Sequence, residues 1–198
     1  MTAHVEPEWA MVTVMFVDVR GFTTFADQAT AREAVDLLNE FFGTVVPVVR
    51  DHGGHVNKLL GDGLLGVFGA PKPLPNHADS ALAAGRDMLV AVEERLGERC
   101  RIAVGINTGL VLLGTIGAEG CTELGVIGDP VNVAARVEAA TRGLDEPLLV
   151  TEATRRMLET TDPGLRLVSR GAVALKGKSA PVVVHGLASR NDLWTPQA

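Results

Sequence analysis

The sequence predicts an α+β fold: a mixed, mainly antiparallel sheet of the split βαβ (ferredoxin-like) kind, with helices on one face and additional strands towards the C-terminus. Three observations predict it. Apolar runs of strand length alternate with longer runs of helical period along the 198 residues. Two pairs of strand runs are joined by turn signals far too short for a crossover helix, Gly61-Asp62-Gly63 and Thr108-Gly109, so each pair reads as an antiparallel hairpin. No repeat or low-complexity linker divides the chain, so 1–198 reads as one domain with a core over about 10–187 and a loose tail at 188–198. A doubly wound parallel sheet is the rival, and the hairpins count against it.

The elements follow in order. Residues 11–17, Met-Val-Thr-Val-Met-Phe-Val, form a continuous apolar run, as in a strand buried on both faces, and the run ends at Asp18. Thr30-Ala-Arg-Glu33 has the spacing of a capping box and opens a helix with Ala34, Leu37, Leu38, Phe41, Phe42, Val45 and Val49 on one face. Pro47 is expected to bend its last turns and Gly53-Gly54 to end it. Residues 55–60 and 64–68 read as a hairpin with Asp62 at its tip, Asp-Gly supplying the positive φ of a tight turn. The Pro-rich loop 70–75 leads to a second helix with Ala78, Ala81, Leu82, Gly85, Leu89, Val92 and Leu96 inward. Strands are expected at 101–107 and 110–116 on either side of a turn at Thr108-Gly109, and another at 124–127. Gly128-Asp129-Pro130 puts Asp at the N-cap and Pro at the first position of a helix over 130–141. A strand at 148–150, a helix at 152–159 and strands at 173–175 and 182–185 complete the reading.

Composition excludes several function classes. Hydrophobic residues make up 46% of the chain, enough for a sizeable core, and the formal charge of −6 argues against a general nucleic-acid binder. No apolar run approaches the ~18–20 residues that span a bilayer, and the first residues lack the pattern of a signal peptide, so a soluble, cytoplasmic protein is expected. Cys100 and Cys121 have no CxxC spacing and read as reduced thiols without a role. His52 and His55 flank Gly-Gly with no third metal ligand and read as a solvated bend, while His4, His77 and His185 sit in no motif.

Four elements carry chemistry. Asp18, in Phe-Val-Asp-Val-Arg-Gly-Phe-Thr (16–23), and Asp62, in Lys-Leu-Leu-Gly-Asp-Gly (58–63), end apolar runs. If neighbouring strands bring the carboxylates together, they form a hard oxygen site for Mg2+ or Mn2+, and two such ions suit phosphoryl chemistry. Gly21, Phe22 and Thr23 follow at once, where backbone amides opening a helix would face β- and γ-phosphates. The plainer reading is that Asp18 caps that helix and Asp62 makes a turn. Asn132 and Arg136 are four residues apart, on one helix face; they suit a ribose or a transferring phosphoryl group, or they are simply a solvated face. Leu-Lys-Gly-Lys-Ser (175–179) fails as a P-loop, because the required Gly falls on Ala172 and a strand follows where a helix is needed, leaving Lys176 as a point charge for phosphate or an ordinary turn lysine.

In this order, over roughly 11–187, the four motifs resemble the class III nucleotidyl cyclase catalytic domain of the bacterial adenylate cyclase type. The resemblance implies that fold, with two divalent cations, Mg2+ or Mn2+, on Asp18, Asp62 and the Val19 carbonyl. Asn132 and Arg136 would act on the transition state and Lys176 on phosphate. It further implies a head-to-tail homodimer in which the aspartates come from one chain and Lys58, Asn132, Arg136 and Lys176 from the other. Lys58 matches the lysine that donates to adenine N1, which favours ATP. The family's partner position, three residues before Gly128, is commonly Asp or Thr; here it is Gly125, which has no side chain to accept a hydrogen bond. The implied activity is conversion of ATP to 3′,5′-cyclic AMP and pyrophosphate with weakened base selection. A guanylate or dual-specificity cyclase and a non-catalytic nucleotide-binding module are the alternatives. A diguanylate cyclase lacks its Gly-Gly-Asp/Glu-Glu-Phe signature here, and a receiver domain lacks an acidic pair before Asp18.

Overall fold

The computed structural model describes residues 6–118 and 121–188; the tail expected beyond Ala188 lies outside them. The chain runs β1 (Glu8–Val19), α1 (Phe22–Gln28), α2 (Ala31–Asp51), β2 (His55–Leu60), β3 (Gly63–Phe68), α3 (His77–Leu96), β4 (Ile102–Ala118), β5 (Cys121–Ile127), α4 (Asp129–Leu144), β6 (Leu148–Thr151), α5 (Glu152–Arg155), β7 (Leu167–Val173) and β8 (Val182–Leu187). One sheet has the order β2-β3-β1-β4-β6-β8-β7, and β5 pairs with β4. Among the described residues only the β4–β6 pairing is parallel. The mixed, mainly antiparallel α+β architecture is the expected one, and the doubly wound alternative is excluded.

The expected helices on one face are α2 and α3, which cover the side of the sheet that carries Met15, Val17, Leu64, Val104, Ile106 and Leu148. Helix α4 packs on the opposite face, against Val12, Val14, Val111 and Leu113 through Ala134 and against Leu149 through Val133 and Val137. Gly105 makes that close approach possible: a Cβ there would lie 2.2 Å from the Glu138 backbone nitrogen. β1 and β3 are thus sandwiched, which is why their sequences are continuous apolar runs and not alternating ones.

Helix α2 opens on the expected capping box, in which the Glu33 N–H donates to Thr30 Oγ1 over 3.2 Å and the Thr30 N–H to Glu33 Oε2 over 2.8 Å. It buries Leu37, Phe41, Val45 and Val49 and runs on through Pro47 to Asp51. In the β2–β3 hairpin the positive φ of 69° falls on Gly61. Gly63 serves a different need from the one expected of it, because a Cβ there would meet the Val17 carbonyl oxygen at 2.5 Å.

The expected turn at Thr108-Gly109 is absent: β4 is one strand of 17 residues. Thr108 is buried, with its hydroxyl 2.8 Å from that of Thr13, and a Cβ on Gly109 would lie 2.5 Å from Pro130 Cγ. Both residues are there for close packing, and the true second hairpin is β4–β5. Helix α4 begins one residue earlier than expected, with Gly128 at the N-cap, and Asp129 pairs with Lys178 at 2.6 Å instead of capping. Helix α5 stops at Arg155, since the N–H groups of Glu159 and Thr160 donate to the Asp79 carboxylate at 3.1 and 2.9 Å and draw the chain towards α3. β7 precedes the strand expected at 173–175; its half-exposed sequence and the irregularity between Ser169 and Gly171 hide its period.

A buried polar chain crosses the core. His77 Nδ1 lies 2.7 Å from Thr13 Oγ1, which reaches Thr108, which donates to Thr154 Oγ1 over 3.1 Å. Thr151, 3.3 Å from Thr154, donates to Asn107 Oδ1 over 2.7 Å, and Asn107 Nδ2 donates to the Pro130 carbonyl over 3.0 Å in the first turn of α4. Two further histidines are also structural: His52 lies 3.1 Å from Asp87 and is not merely solvated, and His185 lies 2.8 Å from Glu152. Burial pushes the Cys100 thiol up to about 11, consistent with an inert thiol. Among the described residues, no helix is long and apolar enough to cross a membrane.

Candidate functional site

Asp18 lies at the end of β1 opposite Gly63, and the Val19 N–H donates to the Asp62 carbonyl over 3.1 Å. The bare Gly63 lets the hairpin tip close on β1, so the two aspartates are neighbours; a Cβ at 63 would be 3.2 Å from Asp18 Oδ1. The Asp18 carboxyl is raised above its ordinary range, first by burial and then by the negative charge of Asp62, with partial relief from Arg142, whose guanidinium is 3.7 Å away. Glu138, one turn before Arg142 on α4, is pushed up to about 7, again first by burial and then by Asp18. Glu138 and Arg142 went unnoticed in the sequence because an acid and a base four residues apart look like any solvated helix pair. Among the described residues no group of three or more His, Cys, Asp or Glu side chains could hold a metal ion. The carboxyls that the fold gathers here are those of Asp18 and Asp62, with Glu138 facing them from α4, and Val19, expected as a further ligand through its carbonyl, is the next residue of β1.

Gly21 takes the left-handed conformation, φ 74°, at the N-cap of α1, and Gly21 and Thr23 are exposed while Phe22 packs on the core. This places three exposed or half-exposed residues at the start of α1, with two residues between them and Asp18.

A second cluster forms where the β4–β5 hairpin reaches β2. Lys58 Nζ lies 2.6 Å from Glu123 Oε1, and Asn57 Nδ2 donates to the Leu124 carbonyl over 2.8 Å. Gly125 is two residues along β5 from Glu123, on the same face of the strand. Lys58 and Gly125, 67 positions apart by number, thus come to one place. Glu123 was not singled out in the sequence, where nothing local marks it.

The third cluster is on α4. Asn132 is exposed and Arg136 half-buried, and the Arg136 guanidinium sits over the turn after Leu175, where a Cβ on Gly177 would be 3.4 Å from Nη2. Leu175 is buried, and the Lys178 N–H donates to its carbonyl over 3.0 Å, so the Lys176 loop is held against the helix face that carries Arg136. That face is turned away from the aspartates. At about 100° per residue, Glu138 lies roughly 160° around the helix from Arg136. The side that meets Asp18 is the Glu138 side.

Beyond the helices, one face of the sheet stays open. Trp9, Met11, Leu110 and Ile127 are exposed, and Met11 pairs with Leu110 while Leu112 pairs with both Trp9 and Ile127, so all lie on the same face.

A family model described as the adenylate and guanylate cyclase catalytic domain matches residues 5–188. An uncharacterized protein of Mycobacterium tuberculosis, Rv1320c, is 37% identical over 174 residues, covering 86% of this chain and 30% of that protein. A second, Rv1318c, is 42% identical over 126 residues, covering 64% of this chain and 23% of that protein. The chain therefore spans less than a third of the length of these curated relatives. Among solved structures, the guanylyl cyclase Cya2 superposes with a TM-score of 0.82 at 32% identity, covering 93% of this chain and 95% of that one. The adenylyl cyclase CyaB from P. aeruginosa superposes with a TM-score of 0.80 at 28% identity, covering 96% of this chain and all of that one. With one model matched across nearly its whole length and solved cyclases sharing its fold, the chain belongs to the adenylate and guanylate cyclase catalytic domain family.

Proposed function

We propose that this chain is a single catalytic domain that converts ATP to 3′,5′-cyclic AMP and pyrophosphate as a head-to-tail homodimer in the cytoplasm. The observation that carries the proposal is the orientation of α4: Arg136 and the Lys176 loop face away from the Asp18 of their own chain, so a complete site requires a second copy. The exposed apolar face around Trp9 and Leu110 is a surface such a copy would cover.

Asp18 and Asp62 fit a hard divalent cation, because two carboxylates forced together, with one already raised in pKa, gain from positive charge between them. Two divalent cations, Mg2+ or Mn2+, held by Asp18, Asp62 and the Val19 carbonyl, would supply Lewis acidity to the ribose 3′-hydroxyl and the triphosphate. The reaction is attack of the 3′-oxygen on the α-phosphorus, with pyrophosphate leaving. Backbone amides at Gly21, Phe22 and Thr23 and the ammonium of Lys176 bind the phosphates. Asn132 orients the ribose, and Arg136 stabilises charge gathering at the α-phosphate. Lys58 donates to adenine N1, and Gly125 offers no side-chain acceptor beside it.

Gly125 also supports a second reading, a guanylate or dual-specificity cyclase, to which the likeness to a guanylyl cyclase adds weight. Cyclic nucleotide formed from ATP and from GTP with Mg2+ and with Mn2+ separates the readings. Asp18→Ala and Arg136→Ala should each lose at least about 100-fold in kcat. Normal turnover by Asp18→Ala would overturn the assignment.

A further inference from the structure

We infer that Glu123 supplies the base acceptor that Gly125 lacks, so that Lys58 and Glu123 together read the purine edge. The inference rests on the adenylate cyclase reading above and extends it to a residue outside the four motifs.

Three observations carry it. The side-chain space at Gly125 is occupied by Ile116: a Cβ at 125 would lie 2.1 Å from Ile116 Cδ1 and 3.1 Å from the Gly114 carbonyl oxygen, so an acceptor there would require the Ile116 side chain to move. Glu123 is the next residue on the same face of β5, opposite Ile116 on β4, and it ends 2.6 Å from the Lys58 ammonium. The placement is also anchored, because Asn57, the neighbour of Lys58, holds β5 through the Leu124 carbonyl at 2.8 Å.

The pair leaves both partners able to bind a base. An ammonium has three donors and a carboxylate about four acceptor sites, so their mutual bond uses only one of each. With both side chains partly exposed, 36% and 51%, a base edge can reach them. Lys58 then donates to adenine N1 while Glu123 accepts from the 6-amino group, two contacts at neighbouring positions of one edge. Ile116 offers the ring an apolar contact beside them.

The test compares ATP with purine riboside 5′-triphosphate, which lacks the 6-amino group, on wild type, Glu123→Ala and Glu123→Gln. An exposed ion pair adds little to stability, so both variants are expected to fold. Glu123→Ala should lower kcat/KM for ATP by about 10-fold or more, since a lost bond to a charged partner is being read. It should leave purine riboside triphosphate within about 3-fold of wild type. Glu123→Gln, which keeps a carbonyl acceptor, should recover part of the loss on ATP. If Glu123→Ala lowers both substrates equally, or neither, the inference fails while the cyclase reading stands. A wild-type protein that turns over neither ATP nor GTP, or GTP in preference to ATP, overturns the adenylate reading and this inference with it.

Discussion

At the scale of single residues, the environment around Asp18 concentrates negative charge that the chain offsets in part with Arg142 and, at Glu138, with Arg20. Glu138 carries the consequence. Its folded pKa of about 7 lies above the ordinary value of 4.5, so between those limits the unfolded chain releases its proton before the folded protein does. Stability contributed by protonated Glu138 is therefore full below about pH 4.5, falls as pH rises towards 7, and is lost above it. Asp18, also raised, adds to the slope with the same sign. Glu138→Gln should make the pH dependence shallower over that window and raise the urea midpoint at pH 8 in protein stripped of divalent cations. Urea titrations of both proteins at pH 5 and pH 8 measure it; identical pH slopes would show that Glu138 is not the responsible group.

At the scale of elements, α4 is set by three long-range contacts. Gly105 lets it touch β4, Val133 and Val137 pack on Leu149, and Asn107 ties its first turn to the buried threonine chain. Asn107→Ala removes that tie and takes from the buried Thr151 hydroxyl its 2.7 Å acceptor, leaving only the 3.3 Å contact with Thr154, at a cost of roughly 1–3 kcal/mol. For a chain of this size that lowers Tm by roughly 2–12 °C. Asn107 is buried, so its loss should reach catalysis through the placement of Asn132 and Arg136. The expected signature is a kcat reduced with KM little changed, read from initial rates at 25 °C against substrate; a change confined to KM would place Asn107 outside this role.

At the scale of the whole molecule, each site of the proposed dimer draws Asp18 from one chain and Arg136 from the other. Asp18→Ala and Arg136→Ala homodimers should then both be inactive. Mixed at equal concentration and allowed to exchange, they form heterodimers with one intact site, which predicts recovery of about a quarter of wild-type activity per chain. Specific activity of the wild type should also rise with protein concentration as the dimer assembles. A mixture that stays inactive although sedimentation shows exchanged dimers would rule out the shared site.

Much of the fold is legible in the sequence because its cause is local. The capping box at Thr30, the two-residue tip before Gly63, the buried runs of β1 and β3 and the i, i+4 pair Asn132 and Arg136 are short patterns whose physics is complete within a few residues. The family motifs are of the same kind, which is why they identify the cyclase domain before any coordinate is seen. The Thr108-Gly109 pair shows where local reading ends: the same dipeptide that makes turns elsewhere here packs against Thr13 and Pro130, residues distant in sequence. Glu123 beside Lys58, Glu138 beside Asp18, the side of the sheet that α4 takes and the direction in which Arg136 faces are likewise products of long-range packing. Local pattern sets the alternation of elements and the residue types that the chemistry needs. Which of them meet within one chain is settled by packing at long range, because strand order and the close approaches allowed at Gly63 and Gly105 are set by contacts that no local pattern contains.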